Sequence, residues 1–460
     1  MQILALLLSL SFLVLIHELG HYLFARLFKT RVEKFYLFFN PYFSILRAKR
    51  IKGRWHLSWF SNKSPEAFAE EPDKTEWGIG WLPLGGYCSI AGMIDEQKTS
   101  SKDLASEPKP WEYRSKPAWQ RLFIIAGGVL VNFVAALLIF GMILFRWGSE
   151  TLPLRNVTLG YEYNPIAVDN GFRSGDIILA VNGEPVSEMS DAVSKLLLDN
   201  TEECTVLRNG KDTTIAIPKT FVKEFLAARA KVFATPRIPF VVDGFALDSP
   251  AEKAGLKVGD SIISLNDTAT ITFENFLSRI GNYKEQEVFV RYVRDGKTQT
   301  AAFHTTKDGK IGVMARHPLK VFKTEKKEYS FFEAIPAGIV QGWDMMVSYV
   351  KQFKLIFTKE GASQLGGFGT IGTLFPEVWN WQIFWHMTAF LSLILAFMNI
   401  LPIPALDGGH LMFVLWEMIT GRKPGDKFLE RAQMAGMIIL FALLIFANGN
   451  DLFRWLSGRF

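Results

Sequence analysis

The chain has almost no cysteine: Cys88 and Cys204 are the only two in 460 residues. Neither belongs to a Cys-x-x-Cys pair, so no thiol redox motif or cysteine-built metal site is expected. The two fall in segments expected on opposite sides of a membrane, which argues against a disulfide. Strong charge imbalance is missing too. The net charge is +6, and the basic residues gather beside apolar runs. They read as topology signals, so no nucleic-acid partner is expected. The first residues lack a basic n-region and a small-residue cleavage site, and the opening apolar run is expected to be a retained helix. What the chain has in excess is apolar surface. With 49% hydrophobic residues over this length, it reads as a membrane protein that also carries soluble parts.

Four apolar runs approach or exceed the ~20 residues that a bilayer-spanning helix needs. They are about Gln2 to Phe28, Leu122 to Phe145, Trp381 to about Leu401, and a run with its core at Met434 to Phe446. Arg26, Lys29, Arg31 and Lys34 follow the first run. Lys116 and Arg121 flank the second, and Arg422, Lys423, Lys427 and Arg431 lie between the third and fourth. By the positive-inside rule these ends face the cytoplasm, and both termini lie outside.

Trp147 to about Phe375 holds no span-length run and is expected outside the cytoplasm. It contains an internal repeat. Gly171-Phe-Arg-Ser-Gly-Asp-Ile-Ile-Leu-Ala-Val-Asn-Gly183 resembles Gly255-Leu-Lys-Val-Gly-Asp-Ser-Ile-Ile-Ser-Leu-Asn-Asp267. A helical stretch follows each copy, at Ser190–Leu198 and Phe273–Ile280. The pattern resembles PDZ domains of the bacterial protease type, which take an extended peptide at a sheet edge. A pair of spacer domains is the plainer reading. Ser330 to Phe357 has the spacing of an amphipathic helix, and Gly361–Gly372 reads as a glycine-rich linker.

Between the first two runs lie short β-prone pieces: Val32–Phe39, Phe43–Ala48, Trp55–Phe60 and Trp77–Leu82. Each is too short to cross a bilayer as a helix. They form either a β segment that re-enters the membrane, covered by protein or lining a wet cavity, or a small sheet resting on the interface. The polar stretch Asp95–Glu112 reads as a loop. In the second run, Gly127-Gly128 and Asn132 suggest close helix packing.

His17-Glu18-Leu19-Gly20-His21 lies inside the first apolar run. On a helix it places two imidazoles one turn apart on one face, able to hold one Zn²⁺, with Glu18 beside them as general base. Ionisable groups are costly in lipid unless partnered and functional. Two histidines do not complete a catalytic zinc site, which needs a third protein ligand and an open position. The third run ends in Asn399-Ile-Leu-Pro-Ile-Pro-Ala-Leu-Asp-Gly-Gly-His410. Pro402 and Pro404 break the helix, and Asp407 arrives at a depth similar to that of the histidines. Asp407 is the expected third ligand; a turn residue capping the next helix is the plainer alternative. His410 is either an outer partner or a solvated interfacial histidine.

Together, His17–His21, the motif Asn399-x-x-Pro402-x-Pro404-x-Leu406-Asp407-Gly408 and two PDZ-like repeats between spans resemble the site-2 protease family. These are M50-type intramembrane zinc metalloproteases, and the similarity is to the bacterial regulator-of-sigma-E branch. The resemblance covers nearly the whole chain. It implies an α-helical polytopic inner-membrane protein with four transmembrane helices, a membrane-re-entrant β segment and two extracytoplasmic PDZ-like α+β domains. It also implies a zinc endopeptidase that cuts single-pass membrane proteins, typically an anti-sigma factor already trimmed outside, and remnant signal peptides. Asn399 resembles the family asparagine that contacts substrate, or it holds the broken backbone. Pro402, Pro404, Gly85, Gly86 and Tyr87 are the other candidate substrate contacts. Where the family often has Gly-Pro before its third span, this chain reads Gly366-Gly-Phe-Gly-Thr-Ile371 and lacks the proline.

The expected organisation follows. Residues 1–30 form the first span, 31–118 the β region and loop, and 119–147 the second span. Residues 148–222 and 223–317 are the two PDZ-like domains, and 318–378 an amphipathic linker. Residues 379–411 form the third span, 412–431 a cytoplasmic loop, and 432–452 the fourth span. Two rival readings are an inactive membrane receptor or scaffold that binds peptides through its PDZ-like domains, and a zinc transporter. Intact Glu18 and Asp407 argue against the first. The absence of paired helix repeats argues against the second.

Overall fold

Apolar runs become helices where lipid or protein must satisfy the backbone, because a helix pairs its own N–H and C=O groups. The computed structural model describes residues 1–83, 85–93, 107–228, 232–270, 272–362 and 365–456. Much of the loop expected over Asp95–Glu112 lies outside them. The chain divides into two units. One comprises Met1–Gly148, Glu328–Ile356 and Ala362–Phe460; the other comprises Ser149–Lys327 and Phe357–Gly361.

The principal helices of the first unit are α1 (Gln2–Leu27), α2 (Ala118–Trp147), α3 (Phe331–Phe353), α4 (Phe368–Thr373), α5 (Trp381–Ile400), α6 (Asp407–Thr420) and α7 (Asp426–Leu456). Among the described residues, α1, α2, α5 and α7 are the four long and apolar enough to cross a membrane. Helix α2 is central and packs against α1, α3, α5 and α6. Small residues allow this. A Cβ on Gly20 of α1 would stand 2.3 Å from the Gly127 carbonyl oxygen, and one on Gly338 of α3 would stand 2.2 Å from the Gly141 nitrogen. Helix α5 runs parallel to α1: Thr388 bonds Ser9 at one level, and Asn399 meets His17 at another.

Two stretches differ from expectation. The chain after the proline-broken turn is not loop over 412–431 but continues as α6 to Thr420, because Leu411 and Val414 bury against Ile125 of α2. Within the glycine-rich stretch, α4 is helical. The Asp451 carboxylate of α7 fixes it by accepting bonds from the Gly367 and Thr370 N–H groups at 2.9 Å and from the Thr370 hydroxyl at 2.5 Å.

The β-prone pieces form one sheet of β1 (Val32–Leu37), β2 (Phe39–Ile51), β3 (Arg54–Ser61), β4 (Glu76–Leu82) and β5 (Tyr87–Ile90), ordered β3-β2-β4-β1-β5. The two-residue period of strands separates its faces. One face buries polar groups together: Arg47 meets Glu76 at 2.9 Å, and Tyr36 donates to the same carboxylate at 2.5 Å. The other face is apolar. Phe35, Leu37, Leu46, Ala48, Trp77 and Ile79 line a hollow against Leu15 of α1. On the edge strand Trp55, Leu57 and Trp59 stay 59%, 57% and 60% exposed, an apolar area of the kind that meets lipid or protein.

The second unit holds the two repeats. The first builds a sheet from Lys211–Ala216, Glu203–Arg208, Ile177–Val181 and Glu184–Pro185, with helix Met189–Leu198. The second pairs Lys297–His304, Glu287–Arg294, Ser261–Leu265, Phe240–Phe245 and Val313–Ala315, with helix Phe273–Ile280. Each has its own core, around Phe172 and Phe221 in one and Phe240 and Phe276 in the other. The repeated Gly-Asp turn works identically in both. Asp176 and Asp260 are each 1% exposed. Asp176 accepts two bonds from Arg208 at 2.9 and 2.6 Å, and Asp260 two from Arg294 at 2.7 and 2.6 Å. Each arginine also bonds a carbonyl of the turn, Gly171 or Gly255, at 2.8 Å.

Burial alone would raise the Asp260 carboxyl, but the Arg294 guanidinium and the Lys257 N–H outweigh it and hold it below the usual carboxylate range. A depressed folded value means stability that is complete above the unfolded carboxylate range and is lost as pH falls through the folded value. Arg294→Leu should therefore cost the isolated second-unit transition roughly 3 kcal/mol at pH 7, read by calorimetry. Its melting temperature should fall less steeply on acidification than that of the unaltered chain. Equal acid sensitivity would remove this pair as a source of stability.

Candidate metal centre and comparisons with known proteins

Helical spacing sets His17 and His21 on one face of α1 with their Nε2 atoms 3.3 Å apart. Asp407 reaches the same point from the first turn of α6. Its Oδ2 lies 3.2 Å from His17 Nε2 and 3.4 Å from His21 Nε2. These contacts lack hydrogen-bond geometry, so the buried Oδ2 has no hydrogen-bond partner. Three ligand-type atoms thus converge, and the carboxylate oxygen among them is without a hydrogen-bond partner. Ligands ~2.0–2.1 Å from one zinc stand roughly 3.3–3.4 Å apart at tetrahedral angles, and the observed triangle has those edges. The donor set fits a zinc ion.

The turn that delivers Asp407 requires its sequence. Pro402 and Pro404 cannot continue α5, and Ala405 takes φ +83°. A Cβ on Gly408 would stand 2.0 Å from the Leu401 carbonyl oxygen, and one on Gly409 would stand 2.6 Å from Pro404 Cα. Only two glycines after the aspartate let α6 begin so close to the break.

A cavity of about 250 Å³ opens over the triad, lined by His17, Glu18, His21, Asn399, Asp407 and His410, with Gly86, Tyr87 and Cys88 on another wall. Glu18 thus shares the cavity with the triad. Asn399 Nδ2 is 3.4 Å from His17 Nε2. Gly86 and Tyr87 face the cavity; Pro402, Pro404 and Gly85 do not line it. Pro404 instead packs where Gly436 of α7 leaves room. Strand β5 is an edge of the sheet, and its Tyr87, Cys88 and Ile90 line the cavity.

Sequence reasoning missed the contribution of α2. The Ile124 carbonyl lies 2.9 Å from His21 Nδ1 and can accept only from an N–H there. That leaves Nε2 of the neutral ring with its lone pair toward the triad. A Cβ on Gly128 would stand 2.6 Å from His21 Nε2. Asn132 Nδ2 lies 3.2 Å from His17 Nδ1. The available signal was Gly128 and Asn132 at i and i+4, in a span otherwise apolar at that level.

The family model described as Peptidase family M50 matches residues 5–62 and 58–443. The chain belongs to peptidase family M50. Its relatives align end to end. A Neisseria meningitidis protein named as a zinc metalloprotease is 28% identical over 99% of this chain and 99% of its own length. Metalloprotease MmpA of Caulobacter vibrioides is 25% identical over 100% and 98%. The regulator of sigma E protease of Haemophilus influenzae is 26% identical over 97% of each. A solved PDZ domain of an SdrC-like protein from Listeria monocytogenes covers 19% of this chain and 93% of that domain, at 25% identity and a TM-score of 0.16. As an M50 member with these relatives, the chain is a zinc metalloprotease.

The triad rests on the close approach of α1 and α2. Gly20→Ala should force their backbones apart and cost about 1–3 kcal/mol. Gly372→Ala, whose Cβ would meet only Leu6 at 3.9 Å, should be near neutral. Unfolding in mild detergent compares the two; equal stabilities would sink the packing argument.

Proposed function

We propose that this M50 zinc metalloprotease hydrolyses peptide bonds of single-pass membrane proteins within the membrane, with His17, His21 and Asp407 holding the metal. One observation carries the reading: three ligand atoms converge at tetrahedral edge lengths inside a bundle of apolar helices. When bound, zinc supplies Lewis acidity toward a water and toward the scissile carbonyl. Glu18 takes the proton from the attacking water and delivers it to the leaving amine nitrogen. Asn399 orients substrate or the broken backbone from its place near His17. A substrate helix hides its amides, so it must unwind before cleavage, and Gly86 and Tyr87 on the β5 edge hold the opened segment extended.

The apolar sheet face supports the re-entrant reading of the β segment. The Haemophilus influenzae relative's name supports an anti-sigma factor, cut after a first extracytoplasmic cleavage, as one substrate; remnant signal peptides are a second. The location we propose is the bacterial inner membrane, with both termini and the PDZ-like modules periplasmic. The basic flanks of the spans support this orientation.

Glu18→Gln should keep about one zinc per chain while cleavage of a co-expressed single-pass substrate falls by roughly 10²–10⁴-fold. Asp407→Ala should lose both zinc and cleavage. Cleavage persisting in either variant would remove that residue from its role. For topology, a cysteine at Lys423 should react with an impermeant thiol reagent only from the cytoplasm, and one at Lys211 only from outside. The reverse pattern would overturn the orientation.

A further inference from the structure

We infer that Asn132, in the middle of α2, is a positioning residue for the metal site: its amide oxygen accepts a hydrogen bond from His17 Nδ1–H and so keeps the His17 Nε2 lone pair on the metal. The inference rests on the proposed role of His17 as a ligand. Asn132 is 0% exposed in an apolar span, where an amide is costly unless it is hydrogen-bonded. Its Nδ2 stands 3.2 Å from His17 Nδ1, while its Oδ1 has no hydrogen-bond partner.

An amide's oxygen and nitrogen exchange places by a half-turn about one bond, and the network decides which arrangement holds. With Nδ2 toward the ring, its N–H donates to Nδ1. The proton of the neutral imidazole then sits on Nε2, and no lone pair is left for a cation. With Oδ1 toward the ring, Nδ1–H donates to it. The orphaned oxygen gains its partner, and Nε2 turns a lone pair toward Asp407 and His21. Only the second arrangement suits a ligand.

The same helix does the equivalent for the other histidine. Ile124, Gly128 and Asn132 lie at i, i+4 and i+8 on one stripe of α2. The Ile124 carbonyl fixes His21, the bare Gly128 makes room for both rings, and Asn132 fixes His17. Each ligand histidine thereby has an outer partner on its second nitrogen, from one helix that supplies no ligand itself.

The test is the zinc dissociation constant of the full chain in detergent, from competition with a chelator of known affinity. Asn132→Leu keeps the shape and should weaken zinc 10- to 100-fold. Asn132→Asp can only accept at this position and should stay within about threefold of the unaltered chain, or bind tighter. Cobalt(II) in place of zinc should show a changed ligand-field spectrum in Asn132→Leu alone. A packing role would instead lower the melting temperature of the metal-free protein and leave the zinc constant where it was. Zinc affinity in Asn132→Leu within twofold of the original overturns the inference. So does a tenfold or greater loss in Asn132→Asp, which decides the matter alone if the leucine variant does not fold. If the unaltered chain holds no zinc, the ligand reading fails first and takes this inference with it.

Discussion

The first unit is organised by the cost of keeping His17, His21 and Asp407 among apolar helices. Charged and polar groups leave water only when something in the interior replaces it. The modules of the second unit show the ordinary solution: buried Asp176 and Asp260 each face an arginine of the same module. Asp407 has no such arginine among the described residues. Its ion-pair contacts are the two histidine nitrogens, which bring no charge when the rings are neutral. No guanidinium takes the corresponding place in the bundle among the described residues, and this asymmetry supports the proposed reading of the triad as a metal site over that of a structural ion pair.

Much else in the unit follows from bringing that aspartate to that depth. An aspartate within a continuous helix would carry its backbone past the site. Ending α5 at Ile400 and starting α6 at Asp407 lets the side chain arrive from a helix start, where acidic groups are favoured. The turn between must satisfy its own polar backbone. It does so with short local bonds, Ile403 N–H to the Leu401 carbonyl at 2.7 Å and Leu406 N–H to the Ile403 carbonyl at 3.0 Å. The glycines that follow are the steric condition for this compression, which the Leu-Asp-Gly string does not by itself explain.

The sequence was most legible where one short-range period decides the outcome. The apolar runs, the β pieces and both Gly-Asp repeats follow from apolar length, two-residue alternation and turn chemistry, and the structure has a helix, a strand or a turn at each, with α7 and β2 running longer than expected. The histidine pair was legible because i and i+4 share a helix face. Legibility failed where a partner lies far along the chain. Helix α6 looked like loop because its apolar residues make sense only against Ile125, nearly three hundred positions earlier. The glycine-rich stretch folds as α4 because Asp451 ties it down. Asn132 looked like packing because nothing local to α2 shows that His17 stands opposite.

The position of β5 bears on the hardest step in the proposed reaction. Opening a helix in an apolar setting strips N–H and C=O groups of their partners, and each unsatisfied group costs several kcal/mol there. A protease for such substrates needs replacement partners at the place of cutting, not only a metal and a base. An edge strand provides a row of them at the spacing of an extended chain. Here Tyr87 and Cys88 on that edge, with Gly86 just before it, share a cavity with Glu18 and the triad. A segment opened along β5 would exchange helical bonds for strand bonds while its next peptide group reaches the ligands. Unwinding and hydrolysis would then draw on one site, so the substrate's helix-breaking tendency, rather than its side-chain identity, would set how readily it is cut.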